Sequence, residues 1–259
     1  MGERSGYAPG TFCWVELATT DHTAAKAFYA GLFGWVAEDR PAGEGVSYSM
    51  MSRGGRHVAA IAPQPERQRA AGAPPSWNSY VSVSSADEVL ERARELGGAA
   101  HAPASDVFDA GRMAVVQDPQ GAYFELWEPR EHPGAGLVNA PGALTWNELA
   151  SSDPEAAARF YGELLGWTSA PFEGAGEPYL SMRNGDGDAA GIRGLRAGET
   201  GPHWLVYFGT DDVAAALAET ERRGGRVLAA ERDIGVGRVA VAADPQGARF
   251  ALFAGHLDP

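Results

Sequence analysis

One stretch occurs twice in this chain, and that duplication constrains its fold more than any other feature. Phe12-Cys13-Trp14-Val15-Glu16-Leu17-Ala18-Thr19-Thr20-Asp21 leads through Phe28-Tyr29 to Gly34-Trp35. Leu144-Thr145-Trp146-Asn147-Glu148-Leu149-Ala150-Ser151-Ser152-Asp153 leads through Phe160-Tyr161 to Gly166-Trp167. Trp14 and Trp146, Glu16 and Glu148, Phe28 and Phe160, and Trp35 and Trp167 are each 132 positions apart. A spacing kept over so many bulky residues marks a tandem duplication.

Each copy reads as a strand, a helix and a tight turn. Val15 and Leu17 fall on one face of the strand, apolar and suited to packing on the helix, while Trp14 and Glu16 fall on the other. Asp153-Pro154 reads as an N-cap followed by proline at the first helical position, with Asp21 at the equivalent place. Ala24, Phe28 and Leu32 then share one helical side, and Gly34 and Gly166 stop the helices.

The later parts of each copy repeat as well. Asp118-Pro119-Gln120-Gly121 and Asp244-Pro245-Gln246-Gly247, 126 positions apart, each form a tight turn before an apolar strand. Between these landmarks lie strand patterns at 46–51, 57–61, 77–83, 111–116, 203–208 and 237–241. Ser85 and Glu88 have capping-box spacing before a helix that stops at Gly97-Gly98, and a helix near 212–223 stops at Gly224-Gly225. The expected organisation is an N-terminal tail (1–10), a first domain (11–128) with modules 11–62 and 76–128, a linker (129–142), and a second domain (143–259) with modules 143–196 and 202–255. The Pro- and Ala-rich stretch 63–75 joins the first two modules.

Composition narrows the function. The net charge of −13 opposes nucleic-acid binding. Cys13 is the single cysteine, which rules out an intrachain disulfide and a thiolate metal cluster, and its face marks it as a small core residue. No apolar run is long enough for a signal peptide or a membrane span, so a cytoplasmic protein with no membrane partner is expected.

The capped helix with Phe-Tyr, the Leu-(Phe/Leu)-Gly-Trp ending and the Asp-Pro-Gln-Gly turn together resemble the vicinal oxygen chelate superfamily. That group includes glyoxalase I, bleomycin-resistance proteins and extradiol dioxygenases, and the resemblance extends to two-domain, hydroxylase-like, actinobacterial-type members. It covers nearly the whole chain and implies an α+β fold: tandem glyoxalase/bleomycin-resistance-type domains, four βαβββ modules forming open barrel-like clefts. In metal-using members the cleft holds a divalent ion chelated by substrate oxygens.

The resemblance also indicates where metal ligands would stand. Glu125 matches the last-strand carboxylate, but its counterpart in the second domain is Ala251. The first-strand positions hold Trp14 and Trp146, and the remaining positions fall near Asn78, Leu205 and Ala60. A metal ion needs about three His, Asp or Glu donors. A divalent metal is therefore expected only if Glu16 and His57 join Glu125 in a relocated site, and no other cofactor is assigned.

The candidate catalytic residues are Glu16, Glu125 and Glu148, since a carboxyl group facing a partly apolar groove gains proton affinity and can act as a base. Glu16 and Glu148 could instead pair with Arg112 and Arg238. Trp14, Asn78, Tyr80, Trp127, Trp146 and Tyr207 are the candidate substrate-binding residues. Three readings remain open: an enzyme using carboxylate acid–base chemistry on an oxygenated, aromatic or polyketide-like metabolite; a non-catalytic antibiotic- or metabolite-binding protein; and a metal-dependent lyase or dioxygenase. A small molecule is the expected partner and the chain is a monomer or homodimer. If modules pair within each half, Glu16 faces Glu125 and the first domain is the working one; if they pair across halves, Glu148 faces Glu125.

Overall fold

The computed structural model describes residues 2–41, 43, 47–174 and 176–256. The first half runs β1 (Gly2–Glu3), β2 (Phe12–Thr19), α1 (His22–Phe33), β3 (Val36–Pro41), β4 (Ser47–Arg53), β5 (Arg56–Pro63), α2 (Glu66–Ala70), β6 (Ser76–Ser82), α3 (Ala86–Glu95), β7 (Ala99–Ala100), β8 (Ser105–Val107), β9 (Gly111–Gln117) and β10 (Tyr123–Pro129). After β11 (Leu137–Val138), the second half runs β12 (Leu144–Ser151), α4 (Pro154–Leu165), β13 (Thr168–Pro171), β14 (Tyr179–Asn184), β15 (Gly187–Gly194), β16 (His203–Gly209), α5 (Val213–Arg222), β17 (Arg226–Asp233), β18 (Gly237–Ala243) and β19 (Arg249–Gly255). Val46, expected to open a strand, lies outside the described residues.

Each half builds one open sheet, ordered β3-β4-β5-β2-β6-β10-β9-β7 in the first and β13-β14-β15-β12-β16-β19-β18-β17 in the second. Modules therefore pair within halves. β2 runs antiparallel to β6 with Trp14 opposite Tyr80 and Glu16 opposite Asn78, and β6 runs parallel to β10 with Tyr80 opposite Glu125. The second half repeats this register, with Trp146 opposite Tyr207 and Tyr207 opposite Ala251.

The helix signals in the sequence act as local chemistry requires. The Asp21 and Asp153 side chains accept from the amides of Ala24 and Ala156, filling backbone donors that the first turn leaves free. Gly34 and Gly166 close the helices with φ of 70° and 76°, a region L side chains avoid.

The two halves pack through their helix-bearing faces, and the core crosses between them. α1 buries Phe28, Tyr29 and Phe33 against Phe208 and Phe250 of the second half. Phe160, Tyr161 and Leu164 of α4 pack with Phe124 and Leu126 of the first. Tyr29 donates to Asp244 (3.2 Å) and Tyr161 to Asp118 (3.1 Å). Trp35 Nε1 donates to the Gly142 carbonyl and Trp167 Nε1 to that of Gly10. The Asp-Pro-Gln-Gly turns are structural, as their position suggests. Asp118 Oδ1 accepts from the amides of residues 120, 121 and 122, while Gln120 reaches across to the start of α4, accepting from the Asp153 amide.

Two segments depart from expectation. Residues 2–10 do not form a loose tail: β1 pairs with β11, Tyr7 donates to the Ala135 carbonyl at 2.6 Å, and the Pro9 carbonyl accepts from Asn184. The stretch 63–75 holds a short helix, α2, fixed by Gln64 donating to the Ala73 carbonyl. The N-terminal segment is ordered by groups distant in sequence and the 63–75 stretch by one side chain closing on its own loop, neither of which composition encodes.

Candidate functional site

Because side chains alternate along each strand, the outward concave face of each sheet collects one cluster, and duplication produces it twice. In the second half Tyr207 donates to Glu148 Oε2 at 2.8 Å, and Trp146 Nε1 donates to the Tyr179 hydroxyl at 3.0 Å. Gly191, opposite Glu148, leaves room for this: a Cβ there would sit 1.7 Å from the Tyr179 hydroxyl. In the first half Tyr48 and Tyr80 occupy the equivalent places, their hydroxyls lying against Glu16. Tyr48 and Tyr179 are site residues that sequence reasoning missed, although both follow from the 131-position offset between the β4 and β14 copies.

Beyond the shared tyrosines the two faces differ in charge. Glu125 and Glu16 face one another in the first half. Burial holds the Glu16 carboxyl above the usual glutamate range against hydrogen bonds from Tyr48 and Tyr80, and burial together with the neighbouring Glu16 charge holds Glu125 well above it. Glu125 is 7% exposed, and its Oε2 has no hydrogen-bond partner among the described residues. In the second half Arg193 Nε donates to Glu148 Oε1 at 2.6 Å, and the rest of its guanidinium grips Glu199 with two bonds of 2.8 Å. Burial alone would raise the Glu199 carboxyl, but the Arg193 fork outweighs it and brings it down to about 2. Arg112 and Arg238 do not pair with Glu16 or Glu148; they bind Asp87 with Asp106, and Glu231.

Coverage differs as strongly. In the first half, residues after β10 fold back over the concave face. The Ala135 amide donates to the Cys13 carbonyl and the Gly136 amide to that of His57, both at 2.8 Å. His132 sits edge-on to Trp14 with ring centroids 4.5 Å apart, and its carbonyl accepts from Trp127 Nε1. Trp14 and Trp127, expected on a ligand-facing wall, are thus packed beneath the linker, 3% and 5% exposed. Burial beside His57 lowers the His132 imidazole to about 4. Asn78 is half-buried, near Glu16 in register, and receives the Ser76 hydroxyl.

Pairing within halves points to the first domain as the working one, but it is the second half that carries a cleft of about 840 Å³. Trp146, Phe172, Tyr179, Tyr207, Val239 and Phe253 line it, with Glu148 at its floor. Tyr7 and Phe12 of the first half add to the wall, so the ordered N-terminal segment helps build it.

A divalent ion of the metal-using kind does not fit these residues. Among the described residues no three His, Cys, Asp or Glu side chains converge for an ion. Glu16 and Glu125 are together, but His57 is not with them: it stands beside His132, centroids 6.3 Å apart. The relocated Glu16/Glu125/His57 set is therefore not formed, because His57 sits at the β4–β5 hairpin end, while Glu16 lies mid-strand.

Sequence comparisons agree with this architecture. Residues 11–126 match the Glyoxalase/Bleomycin resistance protein/Dioxygenase superfamily and residues 147–253 match a Glyoxalase-like domain. The chain belongs to this superfamily, the vicinal oxygen chelate group. CFP32 of Mycobacterium tuberculosis (strain CDC 1551 / Oshkosh), named as a candidate glyoxylase, is 44% identical over 255 residues, covering 97% of each chain. The anthracycline biosynthesis protein DnrV of Streptomyces peucetius is 34% identical over 262 residues, covering 95% of this chain and 94% of its own. Among solved structures, the Mn(II)-bound glyoxalase from Novosphingobium aromaticivorans superposes with a TM-score of 0.67 at 15% identity, over 98% of this chain and 83% of the other, which shows a shared fold. No helix among the described residues is long and apolar enough to cross a membrane.

Proposed function

We propose that this protein is a small-molecule enzyme that holds an oxygenated aromatic, polyketide-like metabolite in its second-half cleft and moves a proton on it, using carboxyl-assisted tyrosine hydroxyls. The observation that carries this reading is the aromatic cleft closed at its floor by Glu148 and two phenols. Its size suits a drug-sized polycyclic compound, and a few converging polar groups among apolar walls are what such sites use for orientation. The name of the Streptomyces relative, an anthracycline biosynthesis protein, points to the same substrate class.

Both Glu148 oxygens are engaged, by Arg193 and Tyr207, so Glu148 acts through its partners rather than directly. It orients Tyr207 and lies against Tyr179, whose hydroxyl also receives the Trp146 indole and lines the cleft. Burial beside Glu148 keeps the Tyr179 hydroxyl protonated, so it donates to a ligand ketone oxygen and stabilises the enolate that forms as solvent water takes the neighbouring C–H proton, which then returns from solvent. In the first half Glu16 and Glu125 serve as the other acid–base candidates, beneath the linker.

The same saturation of Glu148 favours a second reading, sequestration without chemistry. A dihydroxyanthraquinone and a cyclic diketone separate the two. Enzyme action predicts quenching of Trp146 fluorescence by the quinone, together with protein-dependent deuterium uptake at the diketone's acidic carbon, which Tyr179→Phe abolishes while quenching persists. Stoichiometric quenching with no exchange would establish the binding protein instead.

A further inference from the structure

The two concave faces are copies in which one internal cation has been gained or lost. In the second half the Arg193 guanidinium neutralises Glu148, standing on β15 at the position opposite Ala150. The corresponding first-half position, opposite Ala18, is Ala62. The first half nevertheless carries more negative charge, because Glu125 stands where the second half has Ala251. Glu16 and Glu125 repel one another, and among the described residues no basic side chain acts on either. Glu125 Oε2 is buried and unpartnered, a costly state unless something donates to it.

Around this pair stand Tyr48, Tyr80, Trp14 and Trp127, with Tyr80 and Trp127 ring centroids 6.2 Å apart in an edge-on arrangement. Two carboxylates bordered by aromatic rings lack the donors a divalent ion requires, but they match an alkylammonium group, which donates several hydrogen bonds and is attracted to ring faces. The net charge of −13 favours cation approach. We propose that the first half is a distinct site for a primary ammonium group, held between Glu16 and Glu125 in the role that Arg193 fills in the second half.

Methylammonium chloride titrated into the full chain tests this, read by thermal midpoint and by calorimetry against sodium chloride at equal ionic strength. The expected result is a saturable rise in midpoint with methylammonium alone. Glu125→Gln should weaken that response roughly tenfold or more. Ala62→Arg, which supplies an internal guanidinium, should abolish it, and serves as the second variant if Glu125→Gln folds poorly. A response equal to that of sodium chloride, one unchanged in both variants, or tighter binding of Mn(II) than of methylammonium would overturn the assignment. Aromatic-ligand binding in the second-half cleft is unaffected by any of these outcomes, so the two sites fail or stand separately.

Discussion

Arg193 is 1% exposed and joins two carboxylates, Glu148 and Glu199, beneath the second-half face. Arg193→Met would leave both acids buried without their cation, a change that costs about 3–5 kcal/mol in comparable buried pairs. Urea unfolding of the variant is the direct measurement. Glu125 behaves in the opposite way. Its raised proton affinity means the folded state keeps a proton that the unfolded chain releases. Its contribution is therefore full below the ordinary glutamate range and is lost as pH rises from there through the elevated folded-state value. Glu125→Gln should raise the melting temperature at pH 8 while changing little at pH 4, with a gain on the order of 1 kcal/mol at the higher pH. The shared face of Glu16, Asn78, Tyr80 and Glu125 was legible in the sequence, because strand parity and a family position both point to it. Arg193 was not: no local motif marks it, because Glu148 reaches it only through the β12–β15 register and Glu199 only through the turn that follows β15.

At the level of elements, the linker determines how the copies differ. Residues 132–136 place a neutral histidine between two tryptophans, where the second half keeps an open cleft. Burial depresses His132 to about 4, so its contribution is complete above the ordinary histidine range and is lost as pH falls from about 6.5 towards 4. Amide hydrogen exchange at Ala135 and Gly136 should accelerate over that window, after correction for intrinsic rates, while exchange in β12 stays unchanged. His132 reads as an ordinary loop residue from sequence alone, since nothing local signals that the loop folds back on Trp14. The helices were the most legible elements: Asp21, Asp153, Gly34 and Gly166 encode their own boundaries through backbone hydrogen bonds and left-handed φ. The N-terminal segment carries no such signal, because its order depends on β11 and on Trp167 and Asn184 of the other half.

Across the whole molecule, Tyr29 and Tyr161 bridge the halves to Asp244 and Asp118, each also receiving a tryptophan indole from Trp77 or Trp204. Tyr29→Phe and Tyr161→Phe should each cost about 1–3 kcal/mol, since each leaves a buried acceptor short of a donor. The wild-type chain should unfold in a single transition seen equally by near-ultraviolet and far-ultraviolet circular dichroism, because neither helix layer is covered without the other half. These bridges are reciprocal: what the first half's tyrosine does to the second half's aspartate, the second half's tyrosine does in return. Such mutual contact is the signature of an isologous interface between identical subunits. The chain therefore preserves, inside one polypeptide, the geometry of a symmetric pair of half-length proteins. Once joined, the pair no longer had to keep two equal faces. A mutation on one copy of the outer surface leaves the shared seam untouched, so one face carries an arginine and stays open while the other carries a second acid and a cover.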